Sequence, residues 1–268
     1  MKRPVIFTDL DGTLLDHETY SFAKALQALS LIRERRIPLV ICSSKTRREI
    51  EHYRELLVNR HPFVSENGGG LFIPRGYFPF PLPDYGFPVS EENDFIVIRL
   101  GASYPELREA MDELRREGFS VRGFGDMTAE EVSALTKLTL AEAEMAKERD
   151  FDEAFILEKD CDMDSLRAAI AERGFHYTQG RFHHILGDSD KGKAVSLLTG
   201  LYRRWLGEIL TIAIGDSPND IPMLEMVDYP VAVRKPDGSC DQRISVSNLI
   251  RADGIGPAGW NKAICELL

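Results

Sequence analysis

Two short apolar runs, each ending in aspartates, constrain this chain most. Residues 5–10 run into Asp9, Asp11 and Gly12, and about two hundred residues later the run 210–214 ends in Gly215-Asp216. Runs of this length stopped by a breaker suit buried strands of a parallel sheet, whose two faces are both covered. Residues two apart on a strand point the same way, so Asp9 and Asp11 share a direction. In an open parallel sheet, ligands bind at the carboxyl ends of the strands. The two carboxylate clusters, with Asn219 and Asp220 beside the second, are therefore expected to meet at one sheet edge. Carboxylates gathered there repel one another unless neutralised, and hard oxygen ligands favour magnesium.

Between these anchors the pattern alternates. Phe22, Ala25, Leu26, Leu29 and Ile32 recur at helical spacing, and Arg33, Arg35 and Arg36 close that helix at its favourable end. A strand is expected at 39–42, stopping at Ser43-Ser44, then a polar helix at 46–58 and a short strand at 63–64. Gly68, Gly69 and Gly70 follow it and permit a tight turn. Residues 72–88 are rich in proline and glycine with aromatics between them, which predicts a rigid connection to a second domain. That domain is expected to hold strands at 95–100, 119–124, 155–157 and within 175–186, with helices at 104–117, 128–147 and 163–173. After Gly187 the first domain resumes with a helix at 193–206, the strand 210–214, a short helix at 222–227, a strand at 231–233 and a terminal helix. The expected fold class is α/β: a Rossmann-like parallel-sheet core of residues 1–83 and 189–268, with an inserted α/β cap domain of residues 84–188.

Charge narrows the partners. The 33 Lys and Arg against 43 Asp and Glu give a net charge of −10, which disfavours nucleic acid but leaves room for a local basic pocket. Cys42, Cys161, Cys240 and Cys265 form no CxxC pair, so reduced thiols in a cytoplasmic protein are expected. Asp9 arrives too early for a signal peptide, and no run approaches the roughly 20 apolar residues of a membrane span. Neither nucleic acid nor membrane is expected as a partner, and protein partners are not readable.

Ser43, Ser44 and Lys45 follow one strand end, and Lys191 opens a helix after Ser189-Asp190. At the same edge as the aspartates, their hydroxyl and ammonium groups suit a phosphoryl oxygen and the charge that develops during its transfer. No Gly-x-x-x-x-Gly-Lys-Ser/Thr loop and no Gly-x-Ser-x-Gly elbow occurs, so neither a nucleotide P-loop nor a serine nucleophile is supported.

These residues carry a resemblance. Asp9-Leu10-Asp11-Gly12-Thr13-Leu14 resembles the first motif of the haloacid dehalogenase superfamily, Ser43 the second, Lys191 the third, and Gly215-Asp216-Ser217-Pro218-Asn219-Asp220 the fourth. The insertion resembles the α/β cap of its Cof-like phosphatases. The resemblance implies that Asp9 attacks phosphorus and that Asp11 serves as acid and then base. It implies magnesium held by Asp9, the backbone carbonyl of Asp11 and Asp216, with Asp220 orienting that shell, and a phosphoryl group held by Ser43 and Lys191.

A narrower resemblance concerns residues 43–47, 65–69, 148–153, 180–184 and 256–261. They are similar to phosphatases that convert 2-O-mannosyl-3-phosphoglycerate to mannosylglycerate, a compatible solute. This implies a small phosphorylated glycoside as substrate, with Ser44, Lys45, Asn67, Gly68, Arg149, Phe151, Glu153, Arg181 and His183 binding it. Chemically this is reasonable, because arginine grips carboxylates bidentately and Glu153 or His183 suits sugar hydroxyls. Arg149 and Glu153 also have the spacing of a surface ion pair. Other readings stay open: phosphatases of glucosyl-3-phosphoglycerate, sucrose phosphate or phosphoglycolate, a phosphohexose mutase, or a non-enzymatic metabolite-binding protein.

Overall fold

The computed structural model describes residues 2–268. Its strands in chain order are β1 (Arg3–Thr8), β2 (Leu39–Cys42), β3 (Phe63–Ser65), β4 (Gly70–Pro74), β5 (Val89–Glu92) and β6 (Phe95–Arg99). Then come β7 (Val121–Gly123), β8 (Asp152–Leu157), β9 (His176–Gln179), β10 (His183–Leu186), β11 (Ile209–Gly215), β12 (Tyr229–Arg234) and β13 (Ile250–Ile255). The larger sheet runs β13-β12-β11-β1-β2-β3-β4-β6-β5. It is parallel from β13 to β3 and antiparallel beyond. The chain winds outward from β1 through β2 and β3, and outward the other way from β11 through β12 and β13. The β1–β11 boundary is therefore the switch point where such sheets bind ligands.

The apolar composition of β1 follows from burial on both faces. Ile6 enters one core with Ile41, Ile212 and Trp260, while Val5 and Phe7 enter the other with Val40, Ala213 and Leu198. Each such side chain contributes about 1.5–3 kcal/mol on burial.

The cap is a second sheet, ordered β7-β8-β10-β9 and antiparallel throughout. The helices Tyr104–Arg116 and Met163–Glu172 pack one of its faces. The helices Ala129–Thr136 and Leu140–Lys147 pack the other, around Phe124 and Ala154.

The α/β core with an α/β cap is as expected, but four local readings change. The strand expected to open the cap, β6, pairs with β4 and extends the core sheet. The separate sheet therefore begins later than residue 84. The Pro/Gly-rich segment is no bare connector: its start is β4, and Tyr77, Phe78 and Phe80 then pack toward Tyr202 and Trp205. The long helix at 128–147 is two helices, broken where Lys137 turns left-handed at φ 65° and Thr139 starts a new capping box with Glu142. Residues 175–186 hold two strands, β9 and β10. The four cysteines are unpaired. Among the described residues, no helix is long and apolar enough to cross a membrane.

Candidate active site

Backbone pairing builds the floor of the site. The Asp9 N–H donates to the Ile214 carbonyl at 3.0 Å, locking the end of β1 beside the end of β11. Gly12 follows at φ +76°, and a Cβ there would lie 2.8 Å from Asp216 Oδ2. A side chain at residue 12 would thus be strained in its backbone and would push the second aspartate cluster away. Asp190 caps the helix Lys191–Leu206 and sets Lys191 at its start, fully buried. Lys191 Nζ donates to Asp9 Oδ1 at 2.7 Å and to Asp220 Oδ1 at 2.6 Å. The other Asp220 oxygen accepts from the N–H groups of Asp216 and Ser217, at 2.9 and 3.1 Å. Asp220 is therefore fully engaged by protein and acts as the keystone of the 215–220 loop.

Asp9, Asp216 and Asp220 each place an oxygen within 4.8 Å of the others. Burial pushes Asp9 well above the usual carboxylate range, Lys191 pulls it down, and Asp220 and Asp216 push it up. Burial, then Asp220, pushes Asp216 up to about 7. Burial works against the Lys191 ammonium, but Asp220 and Asp9 outweigh it and hold it above its usual range. Lys191 thus bonds two of these three carboxylates, Asp9 and Asp220. Asp216 Oδ1 and Asp11 Oδ1 are buried without a hydrogen-bond partner. Unpaired oxygens of hard carboxylates beside excess negative charge form a cluster able to hold a divalent cation.

A cavity of about 410 Å³ lies between this floor and the cap. Asp9, Asp11, Ser44, Lys45, Arg149, Arg181 and Asp216 all line it. Lys45 Nζ sits 3.2 Å from Asp11 Oδ2 and 2.9 Å from Glu49 Oε1. Burial opposes the Lys45 charge, but Asp11 and Glu49 hold it well above its usual range. Ser43 is fully buried, its hydroxyl accepting from the Lys45 N–H at 3.2 Å.

Several expected substrate residues are engaged by the protein itself or lie away from the cavity. Arg149 borders the cavity, but its guanidinium is engaged: Nε donates to Asp152 Oδ1 at 2.7 Å and Nη2 to the Ser44 carbonyl at 2.9 Å. Its partner is Asp152 and not Glu153, because the chain here enters β8 and makes no helix. Glu153 points the other way and is fully buried, bonded to Arg108 Nη1 at 2.6 Å and Tyr104 Oη at 2.9 Å. Phe151 packs on Gly69 and Gly70. Asn67 bridges core and cap, donating to Asp152 Oδ2 at 2.8 Å and accepting from Asn219 at 3.0 Å. Gly68 lies against the Asp190 carbonyl, where a Cβ would collide with it. His183 faces away from the cavity, its Nδ1 2.7 Å from the Tyr177 hydroxyl, and His184 lines it instead.

The structure adds residues that sequence reasoning missed. Tyr20 Oη accepts from Arg181 at 2.7 Å and donates to the Thr136 carbonyl at 2.8 Å, so core and cap meet at the cavity rim. Glu66, fully buried, accepts from the N–H groups of Asp150, Phe151 and Asp152 at 2.7–3.1 Å. Burial pushes this carboxyl up to about 8 against the pull of Arg149. Glu66→Gln turns an amide NH2 toward one set of these donors. We expect a loss of about 2–4 kcal/mol in urea unfolding, whereas Glu55→Gln on the exposed helix surface should cost nothing measurable.

A model of the haloacid dehalogenase-like hydrolases matches residues 6–73 and 125–239. The chain belongs to this family. A relative from Methanococcoides burtonii, named glucosyl-3-phosphoglycerate/mannosyl-3-phosphoglycerate phosphatase, is 48% identical over 270 residues, covering 98% of this chain and 97% of its own. A mannosyl-3-phosphoglycerate phosphatase from Pyrococcus furiosus is 38% identical over 226 residues, covering 84% and 88%. A solved structure from Thermoplasma acidophilum matches with a TM-score of 0.69 at 18% identity, over 99% and 98% of the two chains, a likeness of fold. This haloacid dehalogenase-like hydrolase is thus a phosphoric monoester hydrolase related to the glucosyl- and mannosyl-3-phosphoglycerate phosphatases.

Proposed function

We propose that this hydrolase releases phosphate from mannosyl-3-phosphoglycerate, yielding mannosylglycerate, through an aspartyl-phosphate on Asp9 and with magnesium as cofactor. The observation that carries the reading is the division of labour between two aspartates. Asp9 is buried and gripped by Lys191, while Asp11, about one third exposed, opens into the cavity beside Lys45.

In the first step an Asp9 carboxylate oxygen attacks phosphorus, and the bond from phosphorus to the glycerate oxygen breaks. Asp11 gives its proton to that leaving alkoxide. In the second step Asp11 takes a proton from water, the water oxygen attacks the aspartyl-phosphate, and phosphate leaves Asp9 free. Lys191 offsets the charge of nucleophile and phosphate, and the Ser43 hydroxyl donates to a phosphoryl oxygen. Asp9, the Asp11 carbonyl and Asp216 would hold magnesium, with Asp220 positioning them. A bound magnesium ion supplies charge neutralisation for the phosphate. Arg181 and Lys45, both beside Tyr20 on the cavity lining, suit the glycerate carboxylate.

A second reading, that the glucosyl ester is taken as well, is favoured by the 48% identical relative, whose name carries both sugars. A panel of phosphate esters assayed with magnesium tests both. We expect the mannosyl and glucosyl esters of 3-phosphoglycerate to be cleaved at least tenfold faster than sucrose 6-phosphate, mannose 6-phosphate or phosphoglycolate, and EDTA to stop the reaction until magnesium is restored. Equal rates across the panel would remove the substrate assignment and leave the family intact.

A further inference from the structure

We propose that His184 reads the sugar: its Nε2 accepts a hydrogen bond from a hydroxyl of the glycosyl group. The inference rests on the reading that the substrate is a phosphorylated glycoside. His184 is only 4% exposed, yet it lines the cavity from the cap side. Its Nδ1 lies 3.0 Å from Asp152 Oδ2. Asp152 is fixed in turn by Arg149 at 2.7 Å and by Asn67 at 2.8 Å, so the imidazole cannot swing without losing its hydrogen bond to a held, buried carboxylate. Burial would raise the Asp152 carboxyl, but Arg149 and then His184 hold it below its usual range. An ionised Asp152 only accepts, so the shared proton sits on His184 Nδ1. Nε2 is then the ring atom left for a ligand, since the one side-chain hydrogen bond of His184 to a described residue is made by Nδ1.

The surroundings fit a sugar. Ala154 is the β8 partner of His184 across the ladder, and Phe124, Phe182, Leu138 and Ala146 continue the same cavity wall. An apolar wall covers the C–H face of a pyranose, and one fixed acceptor within it selects a hydroxyl. The anchor also reaches the phosphoryl site. Asn67 accepts from Asn219 at 3.0 Å, and Ser217 Oγ donates to Asn219 Oδ1 at 2.7 Å. Buried hydrogen bonds therefore run from the histidine to the loop that carries Asp216, holding the sugar seat in register with the reacting phosphate.

Steady-state kinetics of wild type, His184→Ala, His184→Phe and His184→Gln test the assignment. The substrates are mannosyl- and glucosyl-3-phosphoglycerate, with 3-phosphoglycerate and p-nitrophenyl phosphate, which lack the sugar. Alanine and phenylalanine should each lower kcat/KM for the glycosides about tenfold, chiefly through KM, and change the two sugar-free substrates less than about twofold. Glutamine, whose Oε1 accepts a hydrogen bond, should regain most of the loss. An equal loss on every substrate, no loss on any, or a phenylalanine variant as good as glutamine overturns the proposal. If alanine fails to fold by circular dichroism, the phenylalanine and glutamine pair carries the comparison. Wild type that takes the glycosides no better than 3-phosphoglycerate refutes the substrate reading on its own, before any variant is compared, and the inference falls with it.

Discussion

Asp9→Asn should lower turnover by about ten-thousandfold or more while the fold stands. The amide keeps the shape of the carboxylate and still accepts from Lys191, so packing around β1 is preserved. What it loses is the nucleophile, since a neutral amide oxygen does not form the acyl-phosphate. Stability should hold or rise, because Asp9 is a buried charge crowded by Asp220 and Asp216. Removing one of three such carboxylates relieves repulsion. The check is phosphate release together with a thermal melt. An asparagine variant that melts normally and turns over within about tenfold of wild type excludes Asp9 as nucleophile.

Lys191→Met should be the costliest single change to stability and should lower the rate as well. The lysine is fully buried and hydrogen-bonds Asp9 and Asp220. Methionine matches much of its volume but strands the carboxylates without their ammonium. Breaking a buried pair in this way costs about 3–5 kcal/mol, read by urea unfolding in EDTA. Magnesium should restore part of it, since a ligand that binds only the folded state stabilises that state. Activity should stay down by about a hundredfold to a thousandfold even with magnesium, because the charge on the transferring group has lost its fixed partner. Adding Asp220→Asn to Lys191→Met should recover stability without recovering rate. If the single variant unfolds like wild type, the buried charge cluster has been misread.

The core half of the site was legible because its residues follow strand ends. An apolar run, a breaker and an aspartate specify position, direction and chemistry together, so Asp9, Asp11, Lys45 and Asp216 meet as expected. The cap half was not. Arg149 and Glu153 are expected to bind substrate, with a helical ion pair as the competing reading, but the chain turns into β8 there and Asp152 is the partner of Arg149. Strand alternation requires His183 and His184 to face opposite ways, but only the packing of the cap on the core decides which one meets the cavity. The place of β6 was illegible for a similar reason: a short apolar run bounded by breakers suits either sheet, and pairing with β4 settles it. Two signals were present and unused. The Thr139-x-x-Glu142 pattern marks a second helix start inside 128–147. The aromatics among the prolines of 72–88 needed burial, which a free connector does not provide.

Acid-quenching the enzyme during turnover of mannosyl-3-phosphoglycerate bearing labelled phosphate, followed by peptide mapping, tests the central claim most directly. The account predicts label on the peptide that contains Asp9, appearing within one turnover, chased by unlabelled substrate, and absent from Asp9→Asn. Steady phosphate release with no labelled peptide at any quench time, or label mapped to another residue, would contradict it.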